Sequence, residues 1–129
     1  MNAFETIKFY RCKHCGNQVQ MILDAGVRPV CCGEPMLELD PKAQDGALEK
    51  HGPVVERDGD LVKVAVGSVE HPMTDAHYIQ WIMLQTKTGV HYRALTPTDA
   101  PKAEFALNGE TPVAVYAFCN LHGLWKTDL

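Results

Sequence analysis

The sequence lacks the features that mark membrane, secreted and nucleic-acid-binding proteins. No apolar run approaches the length of a membrane-spanning helix. The opening residues, Met1 to Lys8, lack the basic head and apolar core of a secretory signal. No block of basic residues is present, and the net charge is −4, which argues against a nucleic-acid or anionic-membrane surface. We therefore expect a cytoplasmic protein that binds neither nucleic acid nor membrane.

Helical periodicity is also lacking, so the 129 residues are predicted to form an all-β protein. The length fits one ordinary domain or two very small ones. A polar, breaker-rich stretch at residues 40–47 reads as a linker, which predicts domains at residues 1–40 and 41–129. The first domain holds only two extended stretches, residues 4–10 and 18–23. A segment below ~40 residues usually needs a metal, a disulfide or a partner to fold.

The second domain is predicted to be a small immunoglobulin-like β-sandwich. Short apolar stretches recur there with turns between them. Asp58-Gly59 and Asn108-Gly109 each give a strong hairpin signal. We expect Ile79, Trp81 and Met83 to share one strand face, and Val113, Val115 and Ala117 to share another. The predicted strands are residues 54–57, 61–66, 77–86, 90–95, 103–107 and 112–118.

Five cysteines would suggest disulfides in a secreted protein, but the number is odd and a cytoplasmic location disfavours bridges. Two pairs, each followed by glycine, lie close together in the first domain. Two residues between Cys12 and Cys15 let both sulfurs reach one ion, and four thiolates suit either structural zinc or a single iron. His14 is read as an exposed spacer. The predicted ligands of this first site are Cys12, Cys15, Cys31 and Cys32.

The fifth cysteine lies among histidines that could form a second metal site. Cys119 and His122 are two residues apart, and the other candidates precede or follow predicted strands, so they could meet at one end of the sandwich. Any single loop histidine is more often a solvated polar residue, and His91 is left out because it lies within a strand. Four imidazoles and one thiolate exceed the four ligands of structural zinc and suit iron with an open sixth position. The predicted ligands are His51, His71, His77, Cys119 and His122.

These motifs, taken together and in order, resemble those of the desulfoferrodoxin family over nearly the whole chain. The resemblance rests on the four first-domain cysteines with GEPM after Cys32, on EKH at residues 49–51, on GSVEHPM at residues 67–73 with His77, and on CNLHG at residues 119–123 with Trp125 and Lys126. It implies a small desulforedoxin- or rubredoxin-like iron domain followed by an immunoglobulin-like superoxide reductase domain, assembled as a homodimer.

The resemblance also implies the roles of individual residues. The first-domain cysteines would hold a rubredoxin-like iron that is structural or relays electrons, with zinc as an alternative occupant. The four histidines would be equatorial ligands of a catalytic iron, with Cys119 axial. Glu49 would occupy the sixth position in the oxidised state, and Lys50 would attract superoxide. The implied reaction adds one electron and two protons to superoxide to give hydrogen peroxide, with a rubredoxin-like protein as electron donor.

Two other functions fit parts of the sequence. A cysteine and a histidine near the end of a β-sandwich also occur in blue-copper electron carriers, but those add a methionine shortly after the histidine, and residues 123–129 contain none. A zinc-stabilised binding module would leave the histidines incidental. Metal analysis separates the three functions, because they predict about two irons, about one copper, or zinc alone.

Overall fold

The computed structural model describes residues 7–42 and 51–129, and these residues form twelve β-strands. The chain divides into two compact units, Met1–Asp40 and Pro41–Leu129. Within the described ranges, no helix is both long and apolar enough to span a membrane. The all-β class expected from the sequence is thus confirmed.

The first unit is built from short strands around very few apolar side chains. Its strands are β1 (Lys8–Arg11), β2 (Gln18–Met21), β3 (Val30–Cys31), β4 (Glu34–Pro35) and β5 (Leu37–Leu39). They form a three-stranded sheet in the order β2-β1-β5 and a two-stranded ladder of β3 with β4. The buried cluster consists of Tyr10, Cys12 and Met36, with Met21 and Cys31 packed against it. Two of its five members are thus candidate metal ligands, as expected where apolar burial alone is too small.

The second unit is a sandwich of two antiparallel sheets. Its strands are β6 (Pro53–Asp58), β7 (Leu61–Val66), β8 (Ile79–Thr86), β9 (Val90–Ala94), β10 (Lys102–Ala106), β11 (Pro112–Cys119) and β12 (Gly123–Asp128). One sheet has the order β10-β7-β6 and the other β12-β11-β8-β9. Both sheets contribute to one core: Val62, Val64 and Val66 from the first meet residues such as Ile82, Leu84 and Val115 from the second. This arrangement agrees with the predicted sandwich.

Only one of the two predicted hairpins is present. Strands β6 and β7 pair on either side of Asp58-Gly59, with Asp58 opposite Leu61. At Asn108-Gly109 the chain does turn, with φ of 52° and 84°, but β10 pairs with β7 and β11 pairs with β8. The hairpin prediction there is wrong, because turn chemistry fixes a local reversal and not the partner of each strand. The backbone N–H groups of Asn108 and Gly109 donate to the Asp60 carboxylate instead (2.8 and 3.2 Å).

The face assigned to β8 also needs correction. The ladder between β8 and β11 shifts register after the pair of Trp81 with Phe118, so that Cys119 lies opposite Ile79. Ile79 therefore joins Ile82 and Leu84 in the inter-sheet core. Trp81 lies outside that core and stacks on Phe118, with ring centroids 5.8 Å apart. A β-bulge breaks the two-residue alternation on which the prediction depended.

Candidate metal centres

The four cysteines of the first unit converge on one point. Their sulfur atoms all lie within 4.8 Å of one another, and none is in a disulfide. Cys15 Sγ and Cys31 Sγ are 3.7 Å apart. Four sulfurs placed about 2.3 Å from a central ion in a tetrahedron are separated by about 3.8 Å. The group therefore has the size that a tetrahedral four-thiolate metal site requires.

Backbone geometry explains how two adjacent cysteines reach the same ion. Cys32 has φ of 53° and Gly33 has φ of 77°, a left-handed turn that is uncommon for a residue other than glycine. This turn brings the side chain of Cys32 into the group beside Cys31, with the two sulfurs 4.0 Å apart. On the other side, Gly16 has φ of 83° and its N–H donates to the Cys12 carbonyl at 2.9 Å, which closes the first knuckle.

The thiols of this group compete for a single negative charge. The backbone N–H of Cys15 donates to Cys12 Sγ and is the main reason that the pKa of Cys12 falls to about 6. Hydrogen bonds with Cys12 and Cys15 raise the pKa of Cys32 to about 12. Cys12 thus forms a thiolate readily, whereas the thiol of Cys32 stays protonated unless a cation compensates its charge. A bound metal ion supplies that compensation, because coordinated thiols lose their protons.

His14, predicted to be a spacer, lies beside this group without belonging to it. Its Nε2 is 3.2 Å from the carboxylate of Glu34, which also lies 3.6 Å from Lys13 Nζ. All three side chains are about half exposed. The polar cluster therefore forms at the surface, while the candidate metal donors are the four sulfurs.

In the second unit, strand register brings the candidate ligands to one end of each sheet. In the first sheet, the start of β6 at Pro53 pairs with the end of β7 at Val66. His51 lies shortly before Pro53 in the sequence, and His71 lies shortly after Val66. The Gly67 N–H donates to the Gly52 carbonyl at 3.0 Å, which extends the pairing toward both histidines. In the second sheet, Cys119 is opposite Ile79 and Gly123. His77, Cys119 and His122 thus lie at a single end of that sheet.

The four imidazole rings form a closed cycle. Neighbouring ring centroids are 4.8 Å apart for His51 and His71, 4.7 Å for His71 and His77, 5.1 Å for His77 and His122, and 4.5 Å for His122 and His51. The diagonal from His51 to His77 is 6.4 Å. Four near-equal edges with a longer diagonal describe a square-like array, the arrangement expected of four equatorial ligands.

Donor atoms of this cycle lie close enough for one ion. One atom from each of His51, His77, Cys119 and His122 lies within 4.8 Å of the others. His71 falls outside that group, but its Nδ1 is 2.7 Å from the Pro72 carbonyl, which assigns the proton to Nδ1 and leaves the Nε2 lone pair available. Among the described residues the buried Nε2 has no hydrogen-bond partner. An orphaned buried nitrogen beside three other imidazoles fits a metal ligand.

Burial sets the protonation of the donor groups. Burial lowers the pKa of His71 to about 4, which favours the neutral form that binds metal. Cys119 is fully buried, and burial raises its pKa, while hydrogen bonds from the backbone N–H groups of Leu121 and His122 act in the opposite direction. Its Sγ is 3.7 Å from His122 Nδ1. Four imidazoles and one thiolate that needs a cation form a donor set suited to iron.

Sequence reasoning did not identify the contacts that support this site. Trp125 is buried and stacks on His51, with centroids 4.9 Å apart and planes at 17°. Lys42 Nζ lies over the Trp125 ring at 5.4 Å and donates to the His122 carbonyl at 3.3 Å. Asn120 connects the loops that carry His77 and Cys119. Trp125 and Asn120 are in motifs that the sequence analysis quoted, but a motif does not reveal these contacts.

The structure describes one of the three remaining residues that the sequence analysis considered, His91, and does not describe Glu49 or Lys50. His91, left out of the ligand set, pairs with Glu110 at 2.9 Å. Glu49 and Lys50 lie outside the described residues, so their predicted roles rest on the sequence.

Comparison with known proteins relates both units to a single family. The desulfoferrodoxin family model matches residues 43–128, and the desulfoferrodoxin N-terminal domain model matches residues 4–39. The chain is 48% identical over 122 residues to the desulfoferrodoxin of Nitratidesulfovibrio vulgaris, covering 94% of this chain and 95% of that protein. It is 45% identical over 123 residues to the desulfoferrodoxin homolog of Archaeoglobus fulgidus, covering 95% and 98%.

Solved structures give the same relationship. The superoxide reductase of Treponema pallidum superposes with a TM-score of 0.81 at 38% identity, covering 95% of this chain and 98% of that one. The 1Fe superoxide reductase of Giardia intestinalis superposes with a TM-score of 0.53 at 32% identity, covering 63% of this chain and 97% of that one. The similarity to the superoxide reductase of Treponema pallidum thus extends over both units.

Proposed function

The chain belongs to the desulfoferrodoxin family, and from that premise we propose that it is a superoxide reductase, an oxidoreductase that converts superoxide to hydrogen peroxide. The observation that carries the proposal is the square-like cycle of His51, His71, His77 and His122 beside the buried thiol of Cys119. The cofactors are two irons per chain, one at this site and one held by the four cysteines of the first unit.

The four histidines and Cys119 would hold the catalytic iron. The ring cycle supports this assignment, since its edges place each imidazole beside two others. Trp125 holds the His51 ring by stacking, and the Pro72 carbonyl holds that of His71. An iron bound here supplies the single electron that superoxide accepts.

The ligand set also determines which anion approaches. Four neutral imidazoles and one thiolate leave a divalent iron with net positive charge, whereas four thiolates leave an iron with net negative charge. Superoxide is therefore attracted to the second site and repelled by the first. The N–H groups of Leu121 and His122 stabilise the Cys119 thiolate, and so limit how strongly it donates to the metal.

Cationic side chains strengthen this attraction in a chain whose net charge is −4. Lys50 directly precedes the ligand His51 and is the residue that draws in superoxide. Lys42, whose ammonium donates to the His122 carbonyl, adds a second positive charge beside this ligand. Glu49 would be a further ligand of this iron in its oxidised state, and solvent water would supply the two protons.

The first site stabilises its domain and relays electrons. Its sulfurs accept hydrogen bonds from the backbone N–H groups of Cys15 and Asn17 (both 3.5 Å), which disperse thiolate charge. The electron donor is a rubredoxin-like protein, and the chain acts as a homodimer in the cytoplasm.

Metal content and spectra test the proposal. The purified protein is expected to hold about two irons per chain and to show two separate sets of visible absorption, one from each site, that respond differently to oxidation. Zinc in the first site with iron in the second would leave the reaction intact and correct only the first cofactor. Copper, or zinc in both sites, would overturn the proposal.

A further inference from the structure

Asn120 lies between Cys119 and His122 in sequence and contacts the segment that carries His77. Its side-chain Oδ1 accepts a hydrogen bond from the Tyr78 N–H at 3.0 Å. Its Nδ2 donates to the Ala76 carbonyl at 3.0 Å. Its own backbone N–H points to the Tyr78 carbonyl at 3.3 Å. One residue therefore holds the backbone on both sides of His77.

The position of these bonds in the sheet gives them their importance. The ladder between β8 and β11 ends at the pair of Ile79 with Cys119, just after a register shift. His77 and His122 both lie beyond this last pair, so the ladder itself does not fix the distance between them. Beyond the ladder, Asn120 joins the two loops through three hydrogen bonds.

An amide is the side chain that these contacts require. It presents one acceptor and one donor in a fixed plane, and here the acceptor meets an N–H and the donor meets a carbonyl. A carboxylate of the same shape would retain the bond to Tyr78 but face the Ala76 carbonyl with a second acceptor. Because both polar ends are engaged by the backbone, Asn120 is not itself a metal ligand.

We propose that Asn120 is a positioning residue that fixes His77 relative to Cys119 and His122, and so sets the geometry and retention of the metal ion at the second site. The proposal rests on the metal site and not on the reaction carried out there. Its test therefore uses metal retention, spectra and amide exchange, none of which requires superoxide.

The experiment compares Asn120→Ala and Asn120→Asp with the parent as full-length, iron-loaded chains. The rate of iron loss from the second site to a ferrous chelator is followed, with the four-cysteine iron as an internal reference. Outer-sphere partners of metal ligands typically contribute 10- to 100-fold in metal affinity, so Asn120→Ala should lose this iron about 10- to 100-fold faster. Asn120→Asp should lie between Asn120→Ala and the parent, because one of the two side-chain bonds remains.

Tyr116→Phe is the matched control for general destabilisation. Tyr116 donates to Gln85 at 3.2 Å, a buried side-chain bond between the same two strands, β11 and β8, but away from the metal loops. This variant should weaken the sandwich but leave the rate of iron loss from the second site unchanged. It should also leave unchanged the thiolate-to-iron charge-transfer band expected from Cys119 in the ferric protein. Asn120→Ala should shift that band.

Amide exchange tests the bridge without any metal. In the metal-free chain, loss of the acceptor should speed exchange of the Tyr78 N–H about tenfold in Asn120→Ala, and much less in Asn120→Asp. If both Asn120 variants retain iron as long as Tyr116→Phe does, with an unshifted band, the positioning role is wrong. If Asn120→Ala fails to fold, the same comparison with Asn120→Asp decides the question.

Discussion

His51 Nε2 and His122 Nδ1 lie 2.9 Å apart, although the two residues are separated by 71 positions in the sequence. Two nitrogens at adjacent corners of a square, each about 2.1 Å from its centre, are about 3.0 Å apart. The spacing therefore fits two neighbouring ligands of one metal ion. Different ring nitrogens face the centre in the two residues, so the histidines are not interchangeable by symmetry.

Replacement of the axial ligand should separate iron binding from reactivity. Cys119→Ser exchanges a soft, electron-rich donor for a harder one, so the thiolate-to-iron charge-transfer band of the ferric protein should disappear. The rate of superoxide reduction should fall roughly a hundredfold or more. Replacing only a hydrogen-bond partner of a metal ligand already lowers metal affinity or activity about 10- to 100-fold. Visible spectroscopy with iron analysis checks both parts. Full activity in an iron-loaded Cys119→Ser protein would contradict the axial role.

Loss of the first metal site should leave the reaction at the second site largely intact. Cys15→Ser removes one sulfur from the four-thiolate group, so the visible absorption of that iron should be lost and residues before about Asp40 should become more accessible to proteolysis. Consumption of superoxide should largely survive when a chemical reductant supplies electrons. Loss of activity while the second iron remains bound would assign the first site a direct part in the chemistry.

The charge of Lys50 should affect capture of superoxide. At a separation of about 6 Å, the Coulomb energy runs from roughly 0.7 kcal/mol in water to roughly 3 kcal/mol at an effective dielectric of about 20. Lys50→Ala should therefore slow capture by between a few-fold and about a hundredfold in stopped-flow or pulse-radiolysis measurements. High salt should reduce the difference.

Two variants control for this effect. Lys87→Ala removes the same charge just after the end of β8, which lies at the far end of that strand from His77, and should leave the capture rate close to that of the parent. Glu49→Ala should leave capture nearly unchanged or slightly faster, and should instead alter the ferric spectrum. If Lys50→Ala and Lys87→Ala behave alike at every ionic strength, Lys50 does not steer the substrate.

Glu110 should make the second domain less stable in acid. Hydrogen bonds from Thr86 and His91 lower the pKa of Glu110 below its ordinary value of 4.5. The unfolded chain therefore binds the proton first as the pH falls, so this stabilisation is complete above about pH 4.5 and is lost as the pH falls through the folded pKa. In urea unfolding, the difference between parent and Glu110→Gln should be largest near pH 7 and should shrink toward pH 3. A constant difference would show that ionisation of Glu110 is irrelevant to stability.

The sequence predicted those parts of the fold that depend on local patterns. The strand at residues 61–66 was predicted with the bounds that the structure shows, because it alternates regularly and ends in clear turns. Strand β12 was not predicted, although Leu124 and Trp125 are buried. It begins directly after a tight turn, at Gly123, which has φ of 85°. The partner of each strand also depends on distant residues, which is why Asn108-Gly109 was misread.

The candidate ligands could be chosen from the sequence because cysteine and histidine are uncommon and their chemistry is restrictive. The geometry could not be predicted in the same way. The closeness of His51 and His122 depends on the packing of two sheets, and the bridge at Asn120 depends on where the β8–β11 ladder ends. Asn120 carries no pattern of its own that would distinguish it from any polar loop residue.

The ratio of peroxide formed to superoxide consumed tests the central claim most directly. The chain, loaded with iron and fully reduced, is mixed with a limiting pulse of superoxide, and hydrogen peroxide and oxygen are measured together. One-electron reduction predicts one peroxide for each superoxide, no release of oxygen, and oxidation of one iron for each superoxide consumed. One peroxide for every two superoxides, with oxygen released, would show dismutation and would contradict the account.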